Sequence, residues 1–198
     1  MRKVILTEEV FISIITEATI DALEQIGSSR RFGSRGFEML IGIPGSGKST
    51  YLRTLSNPNI VIVCPDDIRA QLTGDISDQS RNGDVWAIAE DMIVRNLRRG
   101  RYVILDATNV GTANRTNMLR KVRYSAGRGG LRTYATVFPC DPSVSKARIA
   151  KDILNGVHRS NVPPYVVDRM YQKYLETMET IRDEGFDEVF FRGAHEVR

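Results

Sequence analysis

A glycine-rich segment has the residue types and spacing of a phosphate-binding loop. In GIPGSGKST, Gly42, Gly47, Lys48 and Ser49 satisfy the pattern G-x-x-x-x-G-K-[ST]. Glycines let the main chain turn so that successive N–H groups point at phosphate oxygens. A lysine supplies charge to the β- and γ-phosphates, and a serine hydroxyl is a ligand that Mg²⁺ accepts. The pattern therefore predicts a site for a nucleoside triphosphate with Mg²⁺, against the alternative of a glycine turn that only caps a helix.

We interpret this nucleotide as ATP and expect the loop to surround its phosphates. Lys48 is expected to project from a surface loop and to act in catalysis, and Ser49 to hold Mg²⁺. The ATP-binding residues that the loop predicts are Gly42, Pro44, Gly45, Ser46, Gly47, Lys48, Ser49 and Thr50.

A second candidate group follows the apolar run IVIVC, in the sequence Pro65-Asp66-Asp67-Ile68-Arg69. Ligands of α/β proteins bind beyond the carboxyl ends of the strands, so these residues should face the transferred phosphate. A carboxylate there can accept a proton from an attacking hydroxyl, and an arginine can hold a phosphate of the acceptor. We predict Asp66 as this base, because one helical step turns Asp67 away. The alternatives are that Asp66 only caps a helix and that Arg69 pairs with Asp67 or Asp75.

A third group closes the apolar run VIL in VILDATN, where Asp106 and Asn109 follow another predicted strand. A carboxylate in this position is the usual direct or indirect partner of Mg²⁺ in a protein with a phosphate-binding loop. We therefore predict Asp106 as a metal-binding residue, and we also name Asp106 and Asn109 as candidate acceptor residues. A turn stabilised by its own polar side chains is compatible with this role.

Elements that position these groups alternate along the chain. Helical patterns separate five strand-like runs, which are Met39–Gly42, Ile60–Cys64, Tyr102–Asp106, Thr133–Phe138 and Glu188–Phe191. This alternation predicts a three-layer α/β/α sandwich with a mainly parallel sheet. Trp86 lies in a helical run and is expected to pack in the core.

The first 36 residues form a separate unit in this interpretation. Apolar residues at helical spacing predict an amphipathic helix over Thr7–Ile26, and the polar, basic run Ser28–Gly36 is typical of a linker. The main domain is predicted to span residues 37–198.

Composition narrows the class of protein. The chain has 198 residues, of which 41% are hydrophobic, and its 28 basic and 24 acidic residues give a net charge of +4. Only six of the 28 cations are lysines, and an arginine-rich surface suits phosphate-rich partners as well as plain solvation. Two cysteines are too few for a disulfide framework, which favours a cytoplasmic protein. We expect no membrane span, because acidic residues interrupt the apolar stretch Val10–Ile26.

These motifs together resemble the kinase domains of the 5′-hydroxyl polynucleotide kinases of phage and of DNA and RNA repair. The resemblance extends from Met39 to about Phe191 and includes GIPGSGKST, PDDIR, LDATN and VPPYVVDRMYQKY. It implies a P-loop fold with a helical lid over ATP at about residues 148–163. It also implies that Asp66 is the general base, that Arg69 contacts the phosphate on the 3′ side of the acceptor sugar, and that Asp106 orients the acceptor or metal.

The lid arginine of that family steadies the transferred phosphate. Arg148 fits this role best in the present chain, and Arg159 competes with it. The chain departs from the family at Pro65, where an arginine is common, and it contains no Asp-x-Asp phosphatase motif.

The expected activity is thus the ATP- and Mg²⁺-dependent phosphorylation of 5′-hydroxyl ends of DNA or RNA. Two alternatives stay open: a kinase of a small molecule such as a nucleoside, an antibiotic or a nucleotide sugar, and a non-catalytic ATP-switched binding module. The sequence leaves the oligomeric state undetermined.

Overall fold

A single parallel sheet organises the protein in the computed structural model, which describes residue 32 and residues 34–125, 130–157 and 159–192. The spatial order of its strands is β2-β3-β1-β4-β5, and every neighbouring pair is parallel. The strands are β1 (Gly36–Ile41), β2 (Ile60–Val63), β3 (Tyr102–Leu105), β4 (Arg132–Val137) and β5 (Glu188–Phe191). The predicted parallel α/β fold is confirmed.

Six α-helices connect the strands within these ranges. They are α1 (Lys48–Thr54), α2 (Pro65–Thr73), α3 (Asn82–Arg98), α4 (Thr112–Ser125), α5 (Pro142–Leu154) and α6 (Pro164–Thr180), with a 3-10 helix at Ile181–Asp183 before β5. Because all strands run the same way, their carboxyl ends meet at one edge of the sheet. The loops that follow β1, β2 and β3 therefore come together.

Alternation along β1 explains the layers. Phe37, Met39 and Ile41 pack into the larger apolar cluster, with residues of α2 to α6, whereas Leu40 joins a smaller cluster with Tyr51 of α1. Successive strand residues point to opposite faces, and all six residues of β1 are buried, Glu38 included. Each face of the sheet needs its own cover of helices.

Helix α3 buries one apolar face, whose residues recur at helical spacing. Val85, Ala89, Ile93 and Leu97 recur every four residues and are fully buried. Trp86 lies beside this stripe, partly buried against the larger cluster, as the sequence predicts. Among the described residues, no helix combines the length and hydropathy needed to cross a membrane.

The start of the domain differs from the expected boundary at residue 37. Phe32 is buried, its ring meets that of Tyr102 edge-to-face at 4.8 Å, and its carbonyl accepts a hydrogen bond from Asn59. The domain core therefore includes a residue of the predicted linker. The predicted helix over Thr7–Ile26 lies outside the described residues.

Candidate active site

The loop between β1 and α1 has a backbone that only glycine adopts easily. Gly45 and Gly47 have φ angles of 78° and 102°, in the left-handed region. At Gly42, an added Cβ would lie 2.5 Å from the Ser46 hydroxyl oxygen and 3.0 Å from the Phe138 carbonyl oxygen, so these neighbours would have to move to admit a side chain. The loop is thus a compact concave turn that leads into the positive end of α1.

Two residues of α5 contact this loop from outside. The fully buried Ser145 donates a hydrogen bond to the Pro44 carbonyl, and Arg148 donates one to the Gly45 carbonyl at 3.1 Å. Ser145 could not be predicted as part of the site, because a serine within a helix has no motif that marks such a contact.

Lys48 is buried, so the expectation that it projects from a surface loop is wrong. Its Nζ donates to the carbonyl oxygens of Gly42 at 2.8 Å and Ile43 at 3.0 Å. Burial lowers the pKa of Lys48 to about 8, although the negative charge of Asp106 opposes the shift. The loop therefore holds a desolvated ammonium group, ready to exchange neutral carbonyl partners for phosphate oxygens.

Asp106 lies at the carboxyl end of β3, where its main-chain N–H donates to the Val63 carbonyl at 2.9 Å. Burial raises the pKa of its carboxyl group, the Lys48 charge lowers it, and the charges of Asp66 and Asp67 raise it again. Because their charges affect one another, Lys48, Asp66 and Asp106 form one electrostatic group, that is, a set of charged side chains that interact at the carboxyl edge of the sheet.

Asp66 and Arg69 form an ion pair on α2. The N-cap residue of this helix is Cys64, so Asp66 lies in the first turn and is not the cap. The Asp66 side chain is 52% exposed, whereas that of Arg69 is 6% exposed. Arg69 pairs with Asp66 and not with Asp67 or Asp75, and it also donates to the Ile76 carbonyl and the Asn82 side chain, both at 3.3 Å.

Asn109 turns its amide toward the sheet. Its φ of 47° is left-handed, and its Nδ2 donates to the Leu40 carbonyl at 2.8 Å. The neighbouring Thr108 carbonyl accepts a hydrogen bond from Gly42 N–H at 3.0 Å. The loop after β3 is thereby tied to β1 and to the first glycine of the phosphate-binding loop.

Arg115 supports the same loop from α4. It is 1% exposed, pairs with Glu184, and donates to the Asn109 carbonyl at 2.7 Å and the Thr177 hydroxyl at 3.1 Å. Glu184 lies 69 residues away along the chain. Arg115 is not among the residues predicted for the site, although an arginine six positions after Asn109 is visible in the sequence.

Two arginines of the predicted lid approach the phosphate-binding loop. Arg148, in the middle of α5, contacts the Gly45 carbonyl. Arg159, in the connection before α6, pairs with Asp152 at 2.5 Å, and its charge contributes to lowering the pKa of Lys48. The structure brings both arginines to the site, so it does not single out one of them.

The residues present suit a magnesium nucleotide. Ser49 and Thr50 are exposed in the first turn of α1, beside the two left-handed glycines, and Asp106 supplies a carboxylate. No group of three or more His, Cys, Asp or Glu side chains occurs in the described part of the chain to cage a metal alone. Such a donor set fits Mg²⁺, which commonly takes one or two protein oxygens and completes its shell with phosphate oxygens and water.

A parallel sheet with a glycine-rich loop after its central strand and carboxylates after the neighbouring strands defines a P-loop kinase fold. A family model described as an AAA domain matches residues 38–177, and the chain belongs to this family. Comparison with curated proteins gives no match.

Solved structures show the same fold. A chain of the Pnkp1/Rnl/Hen1 RNA repair complex is 23% identical with a TM-score of 0.65, covering 74% of this chain and 46% of its own length. A chain of the PezAT toxin–antitoxin system of Streptococcus pneumoniae is 16% identical with a TM-score of 0.59, covering 97% and 81%. This protein thus spans less than half of the matched repair-complex chain. At these identities the likeness shows the fold alone.

Proposed function

We propose that this protein transfers the γ-phosphoryl group of ATP to the 5′-hydroxyl end of DNA or RNA. The observation that carries the proposal is the half-exposed Asp66, ion-paired with Arg69, in one electrostatic group with Lys48 and Asp106. A base beside a phosphate-binding arginine is what an acceptor with a hydroxyl next to a phosphodiester needs.

On the donor side, the loop N–H groups and Lys48 would bind the phosphates, with Lys48 leaving the Gly42 and Ile43 carbonyls. Ser49 and Asp106 would hold Mg²⁺, which neutralises charge on the phosphate oxygens when bound. Arg148 or Arg159 would steady the transferred group from the lid. These interactions position and stabilise charge, which is most of what phosphoryl transfer requires from a protein.

On the acceptor side, the Asp66 carboxylate accepts the proton of the 5′-hydroxyl as that oxygen bonds to the γ-phosphorus. The bond from the phosphorus to the β–γ bridging oxygen breaks, and ADP leaves. In the free protein Arg69 neutralises Asp66. An acceptor phosphate would bind the Arg69 guanidinium group and so hold the neighbouring 5′-hydroxyl beside Asp66.

A kinase of a small molecule is the second candidate. It is favoured by the internal partners of Arg69, because Asp66, Ile76 and Asn82 already engage the guanidinium group. A compact alcohol without a phosphate could then use Asp66 alone. A third possibility, a non-catalytic ATP-switched module, would bind ATP without transferring phosphate.

Acceptor choice separates these candidates. We expect labelled phosphate from ATP and Mg²⁺ to appear on 5′-hydroxyl oligonucleotides and nucleoside 3′-monophosphates, and poorly on nucleosides. Asp66→Asn should reduce kcat by at least about 10²-fold with ATP affinity retained, because a positioned base contributes this much. The exposed Asp84→Asn serves as the control and should keep full activity. Transfer only to small alcohols would favour the second candidate, and no transfer to any acceptor would contradict both kinase functions.

The same assays test Arg69. We expect Arg69→Ala to raise KM for a nucleoside 3′-monophosphate by the equivalent of about 1.5–3 kcal/mol, the value of a charge-assisted hydrogen bond. Activity on the plain nucleoside should change little, and Arg81→Ala, at the exposed start of α3, should be neutral on both. An equal loss on both acceptors would remove Arg69 from the acceptor site.

A further inference from the structure

Three exposed arginines gather at the amino ends of the strands, on the side opposite the phosphate-binding loop. Arg98 is the last residue of α3, Arg99 follows it, and Arg101 immediately precedes β3. Because the sheet is parallel, its amino and carboxyl ends lie at opposite edges. We name Arg98, Arg99 and Arg101 the basic edge, and it lies across the sheet from Lys48.

The hydrogen bonds of the basic edge leave its charge uncompensated. Arg98 Nε donates to the Ser125 carbonyl at 3.0 Å, and Arg101 Nη1 donates to the Pro58 carbonyl at 2.9 Å. Both acceptors are neutral, and none of the three arginines is ion-paired with a carboxylate in the described ranges. Each charge is therefore available to an external anion.

Arginines close to the basic edge are ion-paired with carboxylates, in contrast to Arg98, Arg99 and Arg101. Arg123 and Arg132 lie at the same side of the sheet, but Asp187 and Glu188 pair with them at 3.7 Å and 3.1 Å. Arg95 of α3 pairs with Asp91 in the same way. Within the described residues, no carboxylate offsets Arg98, Arg99 and Arg101 in this way.

The contacts also spread the three charges. Arg98 reaches the end of α4, whereas Arg101 reaches the loop before β2, so the guanidinium groups lie along the edge of the sheet and not at one point. Charges that are spread in this way suit the successive phosphates of a chain more than a single small anion. The planar guanidinium also binds phosphate through two parallel hydrogen bonds.

We propose that the basic edge binds the sugar–phosphate backbone of a nucleic acid, without regard to its sequence. This binding surface is separate from the candidate active site at the carboxyl edge of the sheet. This binding does not depend on phosphoryl transfer. It holds the body of an RNA or DNA chain on the side of the sheet away from the P-loop.

The test measures binding of a fluorescent single-stranded RNA that already carries a 5′-phosphate and so offers no acceptor hydroxyl at that end. Anisotropy titrations at several KCl concentrations give the slope of log K against log salt. Each phosphate contact contributes about 0.7 to this slope for a single strand, so loss of three contacts should flatten it by about 2. The variant with this expected loss is Arg98→Gln/Arg99→Gln/Arg101→Gln.

Two controls make the result specific to these arginines. The charge-preserving variant Arg98→Lys/Arg99→Lys/Arg101→Lys should keep the slope within experimental error. The second control is the variant Arg81→Gln/Arg95→Gln/Lys121→Gln. It removes the same number of positive charges, but from side chains that are ion-paired with Asp84, Asp91 and Glu90, and it should also keep the slope. Unchanged ATP affinity in all three variants shows that they are folded.

Several outcomes would overturn the proposal. These are absence of RNA binding by the unaltered protein, an unchanged slope in the glutamine variant of the basic edge, and an equal loss in the ion-paired control. Competition by polyglutamate as strong as by RNA of equal charge would assign the basic edge to an acidic protein partner instead. None of these outcomes bears on transfer to a 5′-hydroxyl, so the two proposals fail separately.

Discussion

Burial shifts the pKa values of two residues of the site toward their neutral forms. Burial lowers the pKa of the Lys48 ammonium group and raises the pKa of the Asp106 carboxyl group, so each shift favours the neutral form. Only their mutual attraction, and the carbonyl partners of Lys48, offset this cost. The site is therefore less stable without ligand than a neutral site of the same shape, and triphosphate and Mg²⁺ would supply the missing counter-charges.

Lys48 should make the stability of the ligand-free protein depend on pH. Its pKa is about 8 in the folded protein and 10.5 as the ordinary value, so between these pH values the unfolded chain binds more protons. The free energy of unfolding should thus rise with pH across this window, by about 3 kcal/mol at 1.36 kcal/mol per unit.

The measurement compares the urea unfolding of the unaltered protein with that of the Lys48→Met variant from about pH 7.5 to about pH 10.5. This range includes both the folded and the ordinary pKa of Lys48. As the pH rises, the free energy of unfolding of the unaltered protein should increase relative to that of Lys48→Met. Groups that titrate in both proteins do not contribute to this difference. Lys146→Met, at a partly exposed ion pair with Asp168, should show no such rise. Parallel curves for Lys48→Met and the unaltered protein would refute this account.

At the scale of elements, one buried ion pair links α4 to the chain after α6. The Arg115 and Glu184 side chains are 0% and 4% exposed, and Arg115 also holds the Asn109 carbonyl. Two desolvated charges stabilise a fold only while both are present, since either one alone is left without a counter-charge. This pair therefore determines how the loop after β3 is seated against the end of α6.

We expect Arg115→Met to lower the free energy of unfolding by about 3–5 kcal/mol, because it leaves Glu184 buried and unpaired. The double variant Arg115→Met/Glu184→Leu should recover much of this loss, which chemical denaturation of the two single variants and the double variant would measure. Arg81→Met, at an exposed pair with Asp84, should cost about 0–1 kcal/mol. Additive losses in the double variant would show that the two side chains do not act as a pair.

At the scale of the whole molecule, the parallel sheet separates two surfaces with different chemistry. The carboxyl edge gathers the P-loop, Asp66 and Asp106, and the amino edge carries Arg98, Arg99 and Arg101. The same strands extend from one edge to the other, and residues of α3 and of the central strands belong to one apolar cluster. Ligand binding at one edge should therefore stabilise the whole molecule.

Trp86 allows this to be measured, because it is the single tryptophan and packs on α3 against the core. We expect its fluorescence and the far-ultraviolet circular dichroism to give one common melting transition. Mg–ATP at about 100 times its Kd should move both by the same amount, equivalent to about 2.7 kcal/mol. Separate transitions, or a shift in only one signal, would show that the P-loop and α3 belong to different folding units.

Much of the carboxyl edge of the sheet could be predicted because its signals are local. Apolar runs of four to six residues marked the strands, and the glycine pattern marked the turn between β1 and α1. The strand ends then placed Asp66 and Asp106 at one edge, since parallel strands end together. The resemblance to polynucleotide kinases added the roles of Asp66 and Arg69, which stay predictions.

The sequence by itself determined the sheet, the loop and the candidate carboxylates, because each depends on periodicity or spacing within a few residues. Only the tertiary structure decided the burial of Lys48, the inward turn of the Asn109 amide and the Arg115–Glu184 pair. It also decided that Arg98, Arg99 and Arg101 lie away from the P-loop. These features arise from contacts between residues far apart in the chain, 69 positions for Arg115 and Glu184 and also for Asn109 and Leu40. Solvent exclusion and the pairing of charges depend on such contacts, and local pattern does not encode them.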